Sequence, residues 1–226
     1  MGKCEQCIVR ELSSLKALSK DELIHLAKCK DSFLIKKGDV IFSEGDVMNG
    51  VYCIKQGTCK LVKMNSSGKD TILKLITKGD LLGQTSILTE GKATLSAVAV
   101  EDMQVCFIPK NEVLGFIGNN KNFSFEVTKD VCQNLNYATD FAINHTHKTV
   151  KERLALALLD VLDSAGTDAE GFLSLQLSRE EIASMVGTAT ESCIRLLAEL
   201  KKLGIIDLKA KRIKILKLNE LKSLAQ

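Results

Sequence analysis

Eight cysteines supply the most reactive side chains of this 226-residue sequence. Two of them, Cys4 and Cys7, stand in the Cys-x-x-Cys spacing near the start. The residues around them are charged where a signal peptide would be apolar, and no apolar run approaches the ~18 residues needed to span a bilayer. We therefore expect a cytoplasmic protein without a membrane partner, whose thiols serve as metal ligands or redox switches more readily than as disulfides.

Basic side chains form the second chemically marked group. The chain carries 31 Lys and Arg against 28 Asp and Glu, a net charge of +3. Residues 178–226 alone contain ten basic and six acidic side chains, so they carry a net charge of +4. A local positive surface is what neutralisation of nucleic-acid phosphates requires. The alternative is that these side chains only solvate a small helical domain.

The sequence offers no catalytic constellation. It has three histidines, no metal-binding His pair on a helix, no P-loop and no nucleophile elbow. We therefore expect that the protein is not an enzyme. A charged fraction of 26% and a hydrophobic fraction of 45% are typical of a folded chain, and the length suffices for two modest domains.

The elements that must position these groups fall into four segments, of which the first two differ in period. Residues 1–34 have helical spacing, with Ser19 placed as an N-cap, and predict a helical lead-in. Residues 35–109 contain short runs rich in Val, Ile, Leu and Thr between glycines. This pattern predicts an antiparallel β-sandwich or barrel with a hairpin tip at residues 66–69.

Residues 110–148 return to helical spacing. Such a narrow apolar seam predicts a dimerisation helix, in which a polar residue can fix the register. The alternative is a helix packed onto the sheet of its own chain. A second helix begins at Val150, so we expect a hinge near residues 145–150. The seam consists of Val127, Val131, Asn134, Ala138, Phe141 and His145.

Residues 149–226 contain the most informative pattern. Ser178 and Glu181 have the spacing of a capping box, and Gly187 suits a left-handed helix stop. A second helix follows over residues 191–203, and two short apolar runs then flank the basic turn at residues 209–212. Helix, glycine turn, helix and β-hairpin together predict a winged helix-turn-helix. The expected fold class is α+β.

These segments resemble, in chain order, the family of the cyclic-AMP receptor protein and the fumarate-nitrate reductase regulator (CRP/FNR), which are bacterial transcription factors. The resemblance implies a jelly roll like that of cyclic-nucleotide-binding domains, a long dimerisation helix and a DNA-binding winged helix-turn-helix. The matching stretches are residues 36–39, 42–46, 55–57 and 79–83 for the β-roll, and residues 177–183 and 187–197 for the helix-turn-helix.

The resemblance assigns base reading to Glu191 and Arg195. At a spacing of four residues both side chains leave one helix face, where a carboxylate can accept from cytosine and a guanidinium can bind guanine. Thr190 and Ser192 are further base-reading candidates. An intrahelical salt bridge between Glu191 and Arg195 is the alternative. The candidates for phosphate contacts, which position without specifying sequence, are Ser178, Arg179, Thr188, Lys211 and Arg212.

The family's cyclic-nucleotide site differs here at two positions that matter. Gln84 replaces the glutamate that holds the ribose, and Thr94 replaces the arginine that holds the phosphate. No arginine occurs between Arg10 and Arg153, and lysine cannot form the bidentate fork. The sequence therefore argues against cyclic AMP as the effector. The candidate effector pocket comprises Gly83, Gln84, Thr85, Ser86, Thr94 and Leu95.

The other branch of the family binds a [4Fe–4S] cluster, and part of its cysteine pattern is present. Cys4, Cys7 and Cys106 match ligand positions, whereas the third N-terminal cysteine is missing and the fourth ligand would be Cys29 or a carboxylate. A thiol switch or zinc on the same pair and ordinary unliganded thiols are the alternatives. Haem is another candidate cofactor, with His145, His147 and Met64 as possible ligands. The cysteines expected in the core are Cys53, Cys59, Cys132 and Cys193.

The function expected from all of this is that of a dimeric transcription regulator that reads a palindromic duplex site. An effector or redox signal at the β-roll would switch it by shifting the balance between two domain arrangements. Its partners would be double-stranded DNA, a second copy of the chain and, for an activator, RNA polymerase. The alternative is a β-roll that binds a ligand or protein and carries a helical tail without specific DNA binding.

Overall fold

The computed structural model describes residues 4–64, 68, 70–89 and 91–226. The chain forms two compact units. One comprises residues 1–61 with 76–137, and the other comprises residues 62–75 with 138–226. No helix in the described part of the chain has the length and apolarity that a membrane span demands.

The first unit, residues 1–61 with 76–137, begins with short helices, and we call it the sensor unit after the function expected of its β-roll. Three 3-10 helices at Cys4–Gln6, Ile8–Leu12 and Ser14–Ala17 precede α1 (Lys20–Cys29). The predicted N-cap is confirmed, since the Ser19 hydroxyl accepts from the backbone N–H of Glu22 and the Glu22 carboxylate accepts from the backbone N–H of Ser19. This reciprocal capping satisfies two backbone donors that a helix start leaves open.

Residues 31–34 differ from the predicted helical lead-in, because they belong to a strand. This strand, β1 (Asp31–Ile35), pairs antiparallel with residues 103–107, with Asp31 opposite Phe107 and Ile35 opposite Met103. The pairing partner lies some seventy residues away, so local spacing carries no trace of it. The domain boundaries at residues 34, 109 and 148 remain predictions.

The predicted antiparallel β-roll is confirmed. Two four-stranded sheets have the orders β1-β8-β3-β6 and β2-β7-β4-β5. The hairpin tip predicted at residues 66–69 lies outside the described residues apart from Gly68. The further strands are β2 (Val40–Phe42), β3 (Gly50–Gln56), β4 (Cys59–Met64), β5 (Asp70–Ile76), β6 (Leu81–Leu82), β7 (Ser96–Ala99) and β8 (Met103–Pro109).

A five-residue helix, α2 (Gln84–Leu88), interrupts the strands where the sequence predicts none. It begins at Gly83, whose φ of 86° lies in the left-handed region that favours glycine. The roll's core packs apolar side chains from both the strands and the flanking helices. Leu26, Ile54, Met103, Ile108 and Phe123 are among the largest fully buried ones.

Two helices follow the roll, α3 (Lys110–Asn119) and α4 (Lys121–His147). Only Phe123 and Val127 of α4 are buried, so the predicted seam contacts its own chain at its start. Farther along, α4 exposes large apolar side chains, among them Leu135 and Ile143. At its start α4 packs onto its own chain, as in the second alternative, and its dimerisation remains a prediction.

The second unit, residues 62–75 with 138–226, contains the predicted winged helix-turn-helix. Its core consists of fully buried side chains such as Leu154, Leu158, Leu197, Leu200 and Leu221. The short C-terminal helix was not predicted. The elements are α5 (Val150–Ala165), α6 (Arg179–Val186), α7 (Thr190–Lys202), β9 (Ile206–Lys209), β10 (Arg212–Ile215) and α8 (Leu218–Leu224).

Candidate nucleic-acid interface and effector pocket

The turn between α6 and α7 fixes the direction of the second helix. The Ser178 hydroxyl accepts from the backbone N–H of Glu181 at 3.1 Å, which completes the predicted capping box. Gly187 ends α6 with φ 68° and ψ 50°, and the N–H of Thr188 then donates to the Ala183 carbonyl at 3.0 Å. These are the hydrogen bonds of a left-handed helix stop. The sequence therefore predicted this turn correctly.

Helix α7 has a deeply buried face and a polar one. Cys193, Leu197 and Leu200 are buried completely or almost so, which leaves Glu191 and Arg195 exposed on the opposite side. Among the described residues, neither of these two side chains forms a hydrogen bond or an ion pair. The intrahelical salt bridge between them is thus not formed here, and both charges face outward.

The flanking base-reading candidates lie on the same helix. Thr190 and Ser192 are half-buried beside Glu191. Ile194 is 49% exposed, although it is a large apolar residue next to Arg195. An exposed isoleucine there is the kind of group that contacts the methyl of thymine.

Two predicted phosphate contacts are occupied by bonds within the chain. Arg179 donates from Nη2 to the Ala210 carbonyl at 2.9 Å and so ties α6 to the wing, which we define as residues 206–215. Arg212 donates from Nη2 to Asp168 Oδ2 at 2.7 Å and lies 3.0 Å from Glu170 Oε1.

The Arg212 guanidinium also lies over the Phe172 ring, 4.1 Å from its centroid. Its hydrogen bonds lower the pKa of both the Asp168 and the Glu170 carboxyl groups. Sequence reasoning missed both acids, because they precede the helix-turn-helix and only the fold brings them to Arg212. Lys211 differs: it is exposed, and within the described residues it makes no hydrogen bond or ion pair.

The candidate effector residues are not all on one surface. Gln84 is 5% exposed and, with Val51, Ile108 and Phe116, lines a narrow apolar cavity. Its Oε1 has no hydrogen-bond partner among the described residues. Ser86 is buried as well, whereas Thr85 and Thr94 are exposed. Gly83 and Leu95 are half-buried.

Three thiols from distant parts of the chain lie near a buried lysine. Lys30 is 8% exposed, its Nζ donates to Cys106 Sγ at 3.6 Å, and it also hydrogen-bonds the Cys4 thiol. Burial raises the pKa of Cys4, and Lys30 opposes this rise. Cys53 stands opposite Cys106 in the β3–β8 pairing and belongs to the same cluster. We call Cys4, Cys53, Cys106 and Lys30 the thiol–lysine cluster.

The four cysteines that we expected in the core differ in their burial. Burial raises the pKa of Cys53 and Cys59 to about 12 and that of Cys193 to about 11, as expected for core thiols. The prediction for Cys132 was wrong, because it is exposed on α4. Its apolar sequence neighbours belong to a helix that buries only its first turns.

Comparison with known proteins decides the family. A family model described as a cyclic nucleotide-binding domain matches residues 33–120, and one described as a Crp-like helix-turn-helix domain matches residues 152–224. The chain belongs to the CRP/FNR family of transcription regulators. As a CRP/FNR regulator it combines a nucleotide-binding type of β-roll with a DNA-binding motif, as predicted.

Relatives of this CRP/FNR regulator carry two kinds of name. It is 28% identical over 223 residues to an anaerobic regulatory protein of Haemophilus influenzae, a match that covers 96% of this chain and 86% of that one. It is also 28% identical over 176 residues to a cyclic AMP receptor protein of Thermus thermophilus, with 77% and 79% covered. The structure of FixK2 from Bradyrhizobium japonicum has the same fold, with a TM-score of 0.78 at 24% identity over 87% of this chain and 98% of that one.

Cyclic AMP and haem, two effectors that the resemblance to the family suggests, fit the described residues poorly. For cyclic AMP, the roll supplies no arginine, and Gln84 faces an apolar cavity. For haem, the His145 ring already stacks on Phe141 at 4.0 Å between centroids and packs against Gly187, so this imidazole has partners within its own chain. His147 and Met64 are exposed.

An iron–sulfur cluster meets a different obstacle. The Lys30 ammonium hydrogen-bonds both the Cys4 and the Cys106 thiols, so two of the three matching cysteines face a cation. Burial by itself would lower the pKa of Lys30, but its hydrogen bond to Cys4 and the charge of Cys106 raise it overall. Cys29, one of the two possibilities for the fourth ligand, is not part of the thiol–lysine cluster. Its Sγ lies instead 3.6 Å from His25 Nε2. The arrangement described here does not fit a four-cysteine cluster.

Proposed function

We propose that this CRP/FNR regulator acts in the cytoplasm as a homodimer, without enzymatic activity, and binds palindromic duplex DNA through α7. The observation that carries the proposal is the exposed pair Glu191 and Arg195, which stands on the rigid, buried helix α7 without a partner among the described residues. A charged pair that is ordered by its helix but bonded to nothing is prepared for an outside partner.

The chemistry of the pair suits a guanine–cytosine base pair. In the major groove an arginine can donate two hydrogen bonds to guanine O6 and N7, and a glutamate can accept from the cytosine amino group. Thr190 and Ser192 would contact neighbouring bases, and Ile194 would contact a thymine methyl. Phosphate contacts would come from the exposed Lys211, with Ser178 and Thr188 near the helix starts.

Arg179 and Arg212, which we predicted to contact phosphates, would have a structural role first. Arg179 and Arg212 are held by the wing turn and by Asp168 and Glu170. Their first role is therefore to fix the wing. They would contact phosphates with whatever donor capacity remains, since each guanidinium has five N–H groups.

Dimerisation would use the exposed apolar side chains of α4. Phe125, Cys132 and Leu135 lie outside the predicted seam. They are spaced by seven and three residues, as in a coiled-coil seam, and all three are exposed. A parallel pair of α4 helices would place two α7 helices about one turn of DNA, ~34 Å, apart on a palindromic site. An activator of this form would also contact RNA polymerase.

The switch would lie in the sensor unit. An effector changes DNA affinity only through its different affinity for two arrangements of the protein. We propose that the region of Gly83, Gln84, Thr85, Ser86, Thr94 and Leu95 receives this signal. The absence of arginine from the roll argues against a cyclic nucleotide there.

The test of base reading is Arg195→Ala, with Lys202→Ala on the same helix as the matched loss of one positive charge. A selection on random duplexes first identifies the site, and titrations then compare the selected and a scrambled duplex. Loss of the bidentate contact should cost Arg195→Ala about 1–3 kcal/mol on the selected duplex, with guanine preference relaxed at one position. Lys202→Ala should keep that preference. An equal loss by Arg195→Ala on both duplexes would contradict base reading.

A further inference from the structure

Three side chains of different ligand type meet at one point on the sensor unit, and none of them belongs to the thiol–lysine cluster. His25 and Cys29 lie one turn apart on α1, and Glu112 lies in the first turn of α3. His25 Nε2 is 2.6 Å from Glu112 Oε2, and Cys29 Sγ is 3.6 Å from His25 Nε2. All three ligand atoms lie within 4.8 Å of one another. We call these residues the His–Cys–Glu site.

From this arrangement we infer that the His–Cys–Glu site binds a divalent transition-metal ion of the zinc class, with three protein ligands and a fourth position open to water. In the part of the chain that the structure describes, this is the one group of three such ligands at this spacing. The inference concerns metal binding in the sensor unit, and it stands independently of DNA reading.

The distances suit tetrahedral coordination. With metal bonds of about 2.3 Å to sulfur and about 2.0–2.2 Å to nitrogen and oxygen, neighbouring ligand atoms lie about 3.4–3.6 Å apart. The separation of Cys29 Sγ from His25 Nε2 already has this value. The His25–Glu112 pair must open by somewhat less than an ångström, as the ion replaces the hydrogen bond between them.

The ligand types select the metal. A thiolate and an imidazole suit zinc, cobalt, nickel or copper ions, whereas magnesium and calcium prefer oxygen ligands throughout. A surface ion pair between His25 and Glu112 explains two of the three residues, but it gives no reason for a thiol against the same nitrogen. The metal accounts for all three.

The surroundings both orient the ligands and leave the site open. The Phe116 ring meets the His25 ring edge-on, with centroids 6.3 Å apart, which restricts the rotation of the imidazole. The side chains of His25 and Glu112 remain 54% and 28% exposed, so an ion can enter from solvent.

A bound ion would join segments that are far apart in the chain. His25 and Glu112 are 87 residues apart. Asn120, just before α4, already bonds to the Ala17 carbonyl and to Glu22 Oε2, so the same helices meet at a second point. The metal would therefore stiffen the packing of α1 against α3, next to the start of α4.

The experiment uses Co²⁺ as a spectroscopic replacement for Zn²⁺ on the full-length reduced protein. We expect one Co²⁺ per chain, with a thiolate-to-cobalt charge-transfer band that stoichiometric Zn²⁺ removes. Cys29→Ser should abolish the band, and His25→Ala should weaken binding by more than about 100-fold, beyond the loss seen for residues that only orient a metal ligand. Glu112→Gln tests the carboxylate while a neutral hydrogen bond to His25 is retained.

The controls locate the thiolate. Cys132→Ser removes an exposed cysteine elsewhere and should leave the band unchanged, as should the double variant Cys4→Ser/Cys7→Ser. Circular dichroism of each variant verifies folding. The inference is overturned if the protein retains no Co²⁺, if the band survives Cys29→Ser, or if it disappears only in the Cys4/Cys7 variant.

Discussion

Helix α7 and the wing both present basic side chains, but they hold them differently. In α7 one face is buried. Arg195 projects from the other face, and its side chain has no partner among the described residues. In the wing, two four-residue strands bury little beyond Ile206 and Ile213, and Arg212 is bound to Asp168 and Glu170. A helix that is stable through its core can leave its charges free for DNA, whereas a small hairpin uses part of its charge to hold itself in place.

The largest expected effect separates the two faces of α7. Leu197→Ala removes a buried side chain from the helix core and should lower the free energy of unfolding by about 2–5 kcal/mol, because it leaves a cavity. Ile194→Ala removes an exposed neighbour and should change it by no more than about 0.5 kcal/mol. Urea denaturation measures both. Similar losses for the two variants would show that α7 does not divide into core and free faces.

The next effect separates the two basic residues of the wing. Arg212→Ala breaks the bonds to Asp168 and Glu170 and the contact with Phe172, so it should lower the Tm. Lys211→Ala should leave the Tm unchanged and reduce the slope of log affinity against log salt by about one, because one phosphate contact is lost.

Thermal melts and DNA titrations at several salt concentrations measure the two wing variants. If Lys211→Ala lowers the Tm as much as Arg212→Ala does, the contrast between a free and a structural cation in the wing is wrong.

The smallest effect is the pH dependence of the wing. Arg212 lowers the pKa of Asp168 and of Glu170 in the folded chain. Their contribution is therefore complete above the unfolded pKa values of about 4 and is lost as the pH falls below them. The double variant Asp168→Asn/Glu170→Gln should show a flatter decline of Tm between about pH 5 and pH 3 than the wild type. Parallel declines would remove Arg212 as the source of the shift.

The sequence predicted best those features that depend on neighbours within one helical turn. The N-cap at Ser19, the capping box at Ser178 and the stop at Gly187 are set by residues three or four positions apart, and the structure confirms the caps and the stop. The roll was predicted from the change of period at residue 35, because alternation and glycine turns are also local signals. The polar face of α7 followed from helical periodicity in the same way.

The features that escaped prediction depend on distant partners. Strand β1 exists because it pairs with β8, and Lys30 is buried because the fold brings Cys4 and Cys106 to it. Cys29 was left open as one of two possible fourth ligands, and its contact with His25 could not be predicted, since nothing in its neighbourhood indicates that Glu112 lies opposite.

The contact between Gly187 and His145 limits how this regulator can be recombined. A Cβ at position 187 would lie 3.2 Å from the His145 ring, so the turn before α7 packs closely against the end of α4. A chimera that exchanges only the helix-turn-helix for that of a relative would separate two residues that need to be inherited together. Chimeras that exchange DNA specificity should therefore be joined before residue 145 rather than within the hinge expected near residues 145–150.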